Sequence, residues 1–228
     1  SGWPEGANEA FVAGDTEGFT GDAAFVVHPP LGKWIIAVGM AVMGPANPVG
    51  WRLAMAVLGI IAVVLVMVVA KRLTGSRALA VVAGALIESD GNANGMSRIG
   101  SLDNAMMFFV LVGFLCVVMD RGWAQRRLDA WLLARDRVAK DPGWGPALWW
   151  RPWLIAAGAA LGAATAVKWS GLWFLAAFGL LAVASDVLMR RAAGVEAWFT
   201  GTVLKQAPVS ALLMLPIAAV VHLASWTG

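Results

Sequence analysis

The sequence is poor in charged residues and nearly lacks cysteine and histidine. Only 14% of its 228 residues are charged and 60% are hydrophobic, whereas soluble domains carry roughly a quarter charged residues. With a mean hydropathy of +0.73, the chain is too apolar to bury its hydrophobic surface in one soluble core. The single cysteine, Cys116, excludes an intrachain disulfide. The composition therefore predicts an integral membrane protein.

Several catalytic patterns are also missing. The two histidines and the acidic residues show no metal-ligand spacing, so no metal site is predicted. No glycine-rich phosphate loop, Ser-His-Asp set or reactive-cysteine setting occurs, and no cofactor is expected. Tyrosine is absent, whereas the 13 tryptophans often lie at the ends of apolar runs. Indole rings prefer the membrane–water interface, which supports the membrane assignment.

The two ends of the sequence lack the features of natural termini. Residues 1–27 have neither the basic start nor the apolar stretch of a secretory signal peptide. The last apolar run stops abruptly at the letters SWTG. We therefore expect the sequence to be an internal piece of a longer protein.

The apolar runs predict a polytopic helical bundle with about six spans in this piece. A helix needs roughly 20 residues to cross the hydrocarbon core, and the shortest apolar run, at 78–87, is expected to cross only by borrowing Glu88 and Ser89. A charged linker is predicted over residues 120–151, and Pro208 and Pro216 are expected to kink the last span. The predicted spans are residues 51–70, 78–89, 104–119, 152–167, 172–189 and 206–224.

Two regions follow from this pattern. Residues 1–50 are predicted to form an external loop, and residues 51–228 the transmembrane helical domain. Within the loop, the apolar run at residues 34–43 is too short to span the membrane. We predict that it forms a helix lying along the interface.

The basic residues predict the orientation of the spans. Most of the 17 lysines and arginines lie in the connections 71–77, 120–151 and 189–205, which alternating spans place on one side. The positive-inside rule then makes loops 1–50, 88–104 and 168–171 extracytoplasmic in the plasma (inner) membrane. Because the basic residues are dispersed between apolar runs, we do not expect nucleic-acid binding.

Three cations on the predicted outer side suggest a binding site. Lys33, Arg98 and Lys168 each lie at the mouth of a span, in a turn rich in glycine or serine. A charge at membrane depth costs roughly 2.5–3.5 kcal/mol, so it is usually paired or functional. Three converging cations would suit an anionic group such as a lipid-linked phosphate, which Arg98 could bind with two hydrogen bonds.

Each of these residues also has a purely structural explanation. Arg98 and Asp103 could form a salt bridge, and Asp103 could cap the helix that follows it. Lys168 and Trp169 could be a snorkelling lysine and an interfacial tryptophan. His28, beside two prolines, could be an ordinary loop histidine.

A transporter or a non-catalytic membrane subunit is an alternative function. Transporters bury polar groups near the middle of their spans. We interpret the spans at 51–70, 105–119 and 172–188 as free of mid-span polar groups, with the polar residues gathered at one surface. This pattern argues against a pathway through the bilayer.

Several short motifs occur in a characteristic order along the chain. In this order and spacing they resemble the bacterial protein O-mannosyltransferases, the dolichyl-phosphate-mannose–protein mannosyltransferase family. The resemblance covers essentially the whole sequence, and the segment GWPEGANEAF is similar to the actinobacterial branch. The motifs are HPPLGK at 28–33, GWR at 50–52, DG at 90–91, SR at 97–98, LD at 102–103 and KWSG at 168–171.

The resemblance implies a glycosyltransferase with a helical bundle of the GT-C type. Such an enzyme transfers mannose from polyprenyl-phosphate-mannose to serine or threonine of secreted proteins, with inversion at the anomeric carbon. The family's catalytic Asp-Glu pair would lie upstream of Ser1, so no catalytic residue is expected in this piece. The implied partners are the lipid-linked donor, the secreted acceptor proteins and the bilayer, and the secretion translocon is a further candidate.

The resemblance and the charges together assign roles to the motif residues. Arg98 and Lys168 are expected to bind the donor phosphate, and Asp103 to orient Arg98. His28 and Lys33 are expected to build the loop beneath the acceptor. The remaining predicted supporting residues are Asp90, Ser97, Trp169 and Ser170.

A related lipid-linked sugar transferase is a second alternative. An enzyme of the aminoarabinose type has the same architecture but transfers its sugar to a lipid. The combination of HPPLGK at 28–33 with KWSG at 168–171 favours the family that modifies proteins.

Overall fold

The computed structural model describes residues 6–15, 27–44, 47–91, 95–96, 98–135 and 143–227. The regular elements of these residues are helical. In chain order they are α1 (Ala7–Ala13), α2 (Leu31–Met43), α3 (Pro48–Thr74), α4 (Arg77–Ser89), α5 (Leu102–Arg135), α6 (Pro152–Val167), α7 (Gly171–Ala192), α8 (Trp198–Gly201), a π-helical turn (Thr202–Gln206) and α9 (Ala207–Ala224).

Four helical runs of the described chain are long and apolar enough to cross a membrane. They are α3, α5, α7 and the continuous run Trp198–Ala224, which joins α8, the π turn and α9. The helices α4 and α6 have 13 and 16 residues, which is short of the roughly 20 needed. The all-α, multi-pass class is therefore confirmed, while the count of six spans remains a prediction.

Helix α5 continues well past the predicted end of its span. Its 34 residues extend about 51 Å, whereas the hydrocarbon core is about 30 Å thick. The predicted linker over 120–151 is therefore wrong for residues 120–135. Arginine, glutamine, leucine and alanine are good helix formers, and no proline interrupts them, so a change from apolar to charged residues does not end the helix.

The last membrane run begins earlier than predicted. The segment 192–205, expected to be a connection, contains α8 and most of the π turn, which leads directly into α9. Pro208 lies in the first turn of α9, where its missing N–H is tolerated, and the hydrogen-bond ladder changes to the π pattern just before it. Pro216 lies inside α9, and the kink expected there stays a prediction.

Helix α6 is the centre of the bundle. Eleven of its 16 residues are buried, and it packs against α5, α7 and α9. Its glycines let α9 approach closely: a methyl group on Gly162 would lie 2.5 Å from the carbonyl oxygen of Ala218, and one on Gly158 would lie 2.5 Å from that of Met214. Small residues four apart commonly allow membrane helices to pack at short range.

We expect Gly162→Ala to lower the free energy of unfolding by about 1–3 kcal/mol, because overpacking forces the backbones of α6 and α9 apart. Thermal unfolding of the purified full-length protein in detergent measures this effect. The matched control is Gly179→Ala, whose new methyl group would meet only the Met214 sulfur at 4.0 Å. Equal stabilities for the two variants would contradict the close contact.

The bundle has two distinct ends. We call the end that carries Gly32, Trp51, Leu102 and Val167 the motif end, because the sequence motifs meet there. We call the end that carries Arg151 the basic end. The helices α5 and α7 run from the motif end to the basic end, and α6 and α9 return.

Candidate functional site

Three motifs that are far apart in sequence meet at the motif end. A methyl group on Gly32, in HPPLGK, would lie 2.5 Å from Cδ2 of Leu102 and 3.0 Å from Cγ1 of Val167. Leu102 begins the LD motif, and Val167 immediately precedes KWSG. A side chain at residue 32 would force Leu102 to shift, so the start of α2 lies directly on the junction of α5 and α6.

A small apolar cluster supports this junction. Met55, Ala105 and Val167 are fully buried there, and side chains from α2 and α5 surround them. The Asn104 side chain donates a hydrogen bond to the carbonyl oxygen of Met55 at 2.6 Å, which ties α5 to α3. The motif residues above the cluster are therefore held on a packed base rather than on free loops.

Lys168 and Asp103 form an ion pair at this end. The Lys168 Nζ atom donates to Oδ1 of Asp103 at 2.7 Å, and both side chains are partly exposed. The expectation that Asp103 orients Arg98 is therefore replaced: its carboxylate accepts from Lys168. The helix cap also differs, because Ser101 Oγ accepts the Asp103 N–H at 3.3 Å. A partly exposed pair contributes only about 0–1 kcal/mol, so its main effect is to position the ammonium.

Arg98 lies in the turn that precedes α5. Its side chain is exposed and forms no ion pair with another described residue. Two residues later, Gly100 packs on the Trp51 ring, where a methyl group would lie 3.2 Å from Cε3. The turn is thus fixed to α3 close to Arg98, while the guanidinium stays available for a ligand.

Four other predicted residues also lie near these motifs. Ser170 Oγ contacts Met106 Sδ at 3.2 Å, which joins KWSG to α5. Half-buried His28 has no hydrogen-bond partner for Nδ1 among the described residues, and Lys33 is exposed in the first turn of α2. Asp90 is exposed and follows α4 directly. Ser97 lies outside the described residues.

Sequence reasoning missed His222 at the same end. Its ring lies 5.1 Å from the Trp169 ring and 6.4 Å from the Trp226 ring, measured between centroids. The Trp226 indole N–H points toward His222 Nε2 at 3.4 Å. A histidine one helical turn before a tryptophan is visible in the sequence, but its contact with Trp169 depends on the fold.

The motif end offers cations rather than metal ligands. In the part of the chain that the structure describes, no group of three histidine, cysteine or acidic side chains could hold a metal ion. The absence of a metal or cofactor remains a prediction. The chemistry available from the placed residues is electrostatic: an ammonium and a guanidinium that can stabilise negative charge on a ligand.

A second polar cluster, at the basic end, was not predicted. Arg151 is 1% exposed and forms ion pairs with Asp120 of α5 and Asp186 of α7. Its Nη1 lies 2.5 Å from Asp186 Oδ2 and 3.1 Å from Ser210 Oγ of α9. Burial alone would lower the pKa of Arg151, but the two carboxylates outweigh it and raise the pKa, so the guanidinium stays charged.

This cluster bears on one sequence argument. The span at 172–188 is interpreted above as free of mid-span polar groups, and Asp186, which is buried within α7, lies near the end of that span rather than at its middle. It lies toward the basic end and is neutralised by Arg151, so it does not mark an open polar path through the bundle. The sequence signal for this cluster is Asp186, an isolated acid in an apolar run. Its partner, Arg151, lies 35 residues away in the sequence.

The same cluster anchors the extended segment that precedes α6. Arg190 donates to the carbonyl oxygens of Trp144 and Pro146, at 3.0 and 2.5 Å. Gln206, in the π turn, accepts the N–H of Leu148 at 2.8 Å. The segment before α6 is therefore joined to α5, α7 and α9 through Arg151 and Gln206. This arrangement suits a structural role better than a binding site.

Comparison with known proteins identifies the family. The family model described as dolichyl-phosphate-mannose-protein mannosyltransferase matches residues 19–223. The chain is also similar to proteins named polyprenol-phosphate-mannose–protein mannosyltransferase. It is 38% identical to the one from Corynebacterium glutamicum over 202 residues, 39% to that of Mycobacterium tuberculosis over 203, and 36% to that of Mycolicibacterium smegmatis over 201.

Each of these alignments covers 88% of this chain and 38% of the relative. The chain thus spans little more than a third of the length of the proteins it matches. The family model nevertheless covers nearly all of the chain, including the motifs at residues 28–33, 102–103 and 168–171. The chain belongs to the dolichyl-phosphate-mannose–protein mannosyltransferase family.

Proposed function

We propose that the protein containing this chain transfers mannose from a polyprenyl-phosphate-mannose donor to serine or threonine hydroxyls of secreted proteins. The observation that carries the proposal is the convergence of HPPLGK, LD and KWSG, with Lys168 paired to Asp103 among them. The names of the relatives specify the donor and a protein acceptor. The four apolar runs support a membrane setting, where a lipid-linked sugar is available.

The transfer reaction develops negative charge on the departing phosphate, and the cations described above can stabilise this charge. The acceptor oxygen forms a bond to the anomeric carbon from the face opposite the phosphate, which inverts that carbon. The bond from the anomeric carbon to the phosphate oxygen breaks, and its electron pair leaves with the phosphate. A carboxylate base takes the hydroxyl proton. We assign no residue of this chain to the base.

Lys168 and Arg98 are our candidates for stabilising the departing phosphate. Fixed cations can offset its developing charge without a metal. Asp103 positions Lys168, and His28 and Lys33 form the adjoining wall beneath the acceptor. The supporting residues Asp90, Ser97, Trp169 and Ser170 belong to the same set of motifs.

The proposal includes an orientation. Loops 1–50, 88–104 and 168–171 face the extracytoplasmic side of the plasma membrane, so the motif end meets secreted proteins there. The high density of arginine and lysine toward the basic end supports this orientation. Helix α2 lies along the outer interface, residues 51–228 form the membrane domain, α4 and α6 complete six spans, and the secretion translocon is a candidate partner.

The test is a mannose-transfer assay with the full-length protein. Membranes that contain it should transfer radiolabelled mannose from polyprenyl-phosphate-mannose to a serine- or threonine-containing acceptor. Arg98→Ala should abolish this transfer while expression stays intact. Arg77→Ala, which removes an exposed arginine at the start of α4, is the control and should retain activity.

Two outcomes would count against the assignments. Unchanged transfer by Arg98→Ala would remove Arg98 from the mechanism. Labelled lipid instead of labelled protein would overturn the protein acceptor and support the lipid-modifying alternative.

A further inference from the structure

A basic cleft lies between α5 and α7 at the basic end. It has a volume of about 570 Å³ and is lined by Arg121, Gln125, Leu188, Met189, Arg191 and Ala192. Both arginines are exposed, and neither forms an ion pair with another described residue. The cleft is separate from the buried arginine cluster and from the motif end.

The depth of the cleft matches a layer of lipid headgroups. Arg121 lies 19 residues after Leu102, about 28 Å along α5. Arg191 lies 20 residues after Gly171, about 30 Å along α7. The hydrocarbon core is about 30 Å thick, so two helices that start at one interface bring both guanidiniums to the other.

The floor and walls of the cleft suit a lipid rather than a soluble anion. Leu188, one turn closer to the membrane centre than Ala192, is 62% exposed and continues the cleft as an apolar surface. The Arg191 guanidinium lies 5.3 Å from the centre of the Trp198 ring, which restricts its motion. One N–H of the Gln125 side-chain amide donates to Asp129 at 2.8 Å, so the two arginines supply most of the free donors.

We propose that this cleft binds the phosphodiester headgroup of an anionic membrane phospholipid. Arg121 and Arg191 donate to its phosphate oxygens, and an acyl chain lies along Leu188 toward the membrane centre. Basic pockets between membrane helices at this depth are suited to such headgroups. The proposal requires only that α5 and α7 span the membrane, so it does not depend on the proposed mannosyl transfer.

The same two arginines could serve only to orient the protein, and substitution separates the two roles. Lysine keeps the positive charge that sets topology but loses the planar, bidentate donor arrangement that matches a phosphate. Arg121→Lys/Arg191→Lys should therefore keep the orientation and weaken lipid binding. Arg121→Gln/Arg191→Gln should remove the binding.

The experiment measures retained phospholipid by native mass spectrometry of the full-length protein, after delipidation and titration with phosphatidylglycerol or phosphatidylcholine. The unmodified protein should bind phosphatidylglycerol selectively. The glutamine pair should bind it roughly 10- to 30-fold more weakly, as expected for the loss of two interfacial charges. The lysine pair should fall between them. Arg77→Gln/Arg126→Gln, which removes the same charge from exposed sites outside the cleft, should bind like the unmodified protein.

Three results would overturn the proposal. The first is equal weakening in the control pair, which would mean that only the total charge matters. The second is unchanged binding by the glutamine pair. The third is that inorganic phosphate or polyprenyl phosphate displaces phosphatidylglycerol at a lower concentration than cardiolipin does. The cleft would then bind that phosphate compound rather than an anionic phospholipid.

Discussion

Arg151→Met is expected to lower the free energy of unfolding by about 3–5 kcal/mol, because it leaves two buried carboxylates without a counter-charge. Asp120 and Asp186 are 1% and 2% exposed, so water cannot replace the lost guanidinium. The substitution also frees the segment before α6, since Arg151 links it to α5, α7 and α9. Thermal unfolding in detergent, together with the yield of monodisperse full-length protein, measures the effect.

Two further variants isolate the cause. Arg126→Met removes an exposed arginine of α5 and should leave stability nearly unchanged. The triple variant Arg151→Met/Asp120→Asn/Asp186→Asn removes both buried negative charges and should recover part of the lost stability. A single Arg151→Met variant as stable as Arg126→Met would show that the cluster does not hold the basic end together.

Lys168→Met is expected to reduce the turnover number of mannosyl transfer about 10²- to 10³-fold in the full-length protein. This is the usual loss when one fixed group that stabilises developing negative charge is removed. Stability should change little, since the partly exposed pair with Asp103 is worth only about 0–1 kcal/mol. Steady-state kinetics with varied donor, alongside thermal unfolding, separates the catalytic effect from a folding defect.

Controls define what Lys168 does. Lys71→Met removes an exposed lysine in the last turn of α3, away from the motif end, and should retain full turnover. Asp103→Asn keeps Lys168 but weakens its positioning, so it should lower turnover by less than Lys168→Met. If Lys168→Met changed only the donor concentration needed for half-maximal rate, Lys168 would bind the donor without stabilising the departing phosphate.

The amino-acid pattern is sufficient to predict the helical class and the grouping of the motifs. Apolar runs of about 20 residues have few alternatives to a membrane helix, because backbone polar groups must be satisfied within the segment. Turns at alternate helix ends must share a side, so the order of the apolar runs predicts that residues 32, 102 and 168 lie on the same side of the membrane. The junction of Gly32 with Leu102 and Val167 gives this grouping its atomic basis.

Ion-pair partners could not be predicted in the same way. The sequence suggests that Asp103 pairs with Arg98, five residues away, whereas it contacts Lys168, 65 residues away. In the sequence, Arg151 looks like one more basic residue of the predicted linker over 120–151. In the structure it is buried between Asp120 and Asp186. In both cases the sequence shows the charges but not the distances between helices, which depend on how the bundle packs.

The predicted end of α5 was wrong for a related reason. The residues after Met119 change from apolar to charged, but α5 continues through them to Arg135. Residues 120–135 contain no proline, and Gly122 alone does not end the helix, so α5 has no local stop signal where its apolar residues end.

The π turn sets how far α8 is rotated about the helix axis relative to α9. An α-helix advances about 100° per residue, so deleting one residue from Thr202–Gln206 would turn α8 by about that angle relative to α9. Trp198 would swing away from the Arg191 guanidinium, and Gln206 would no longer face Leu148. The rotation of α8 about the helix axis thus depends on the single extra residue of the π turn, and deleting Val203 or Leu204, which are both uncharged, would change it without removing a charged group.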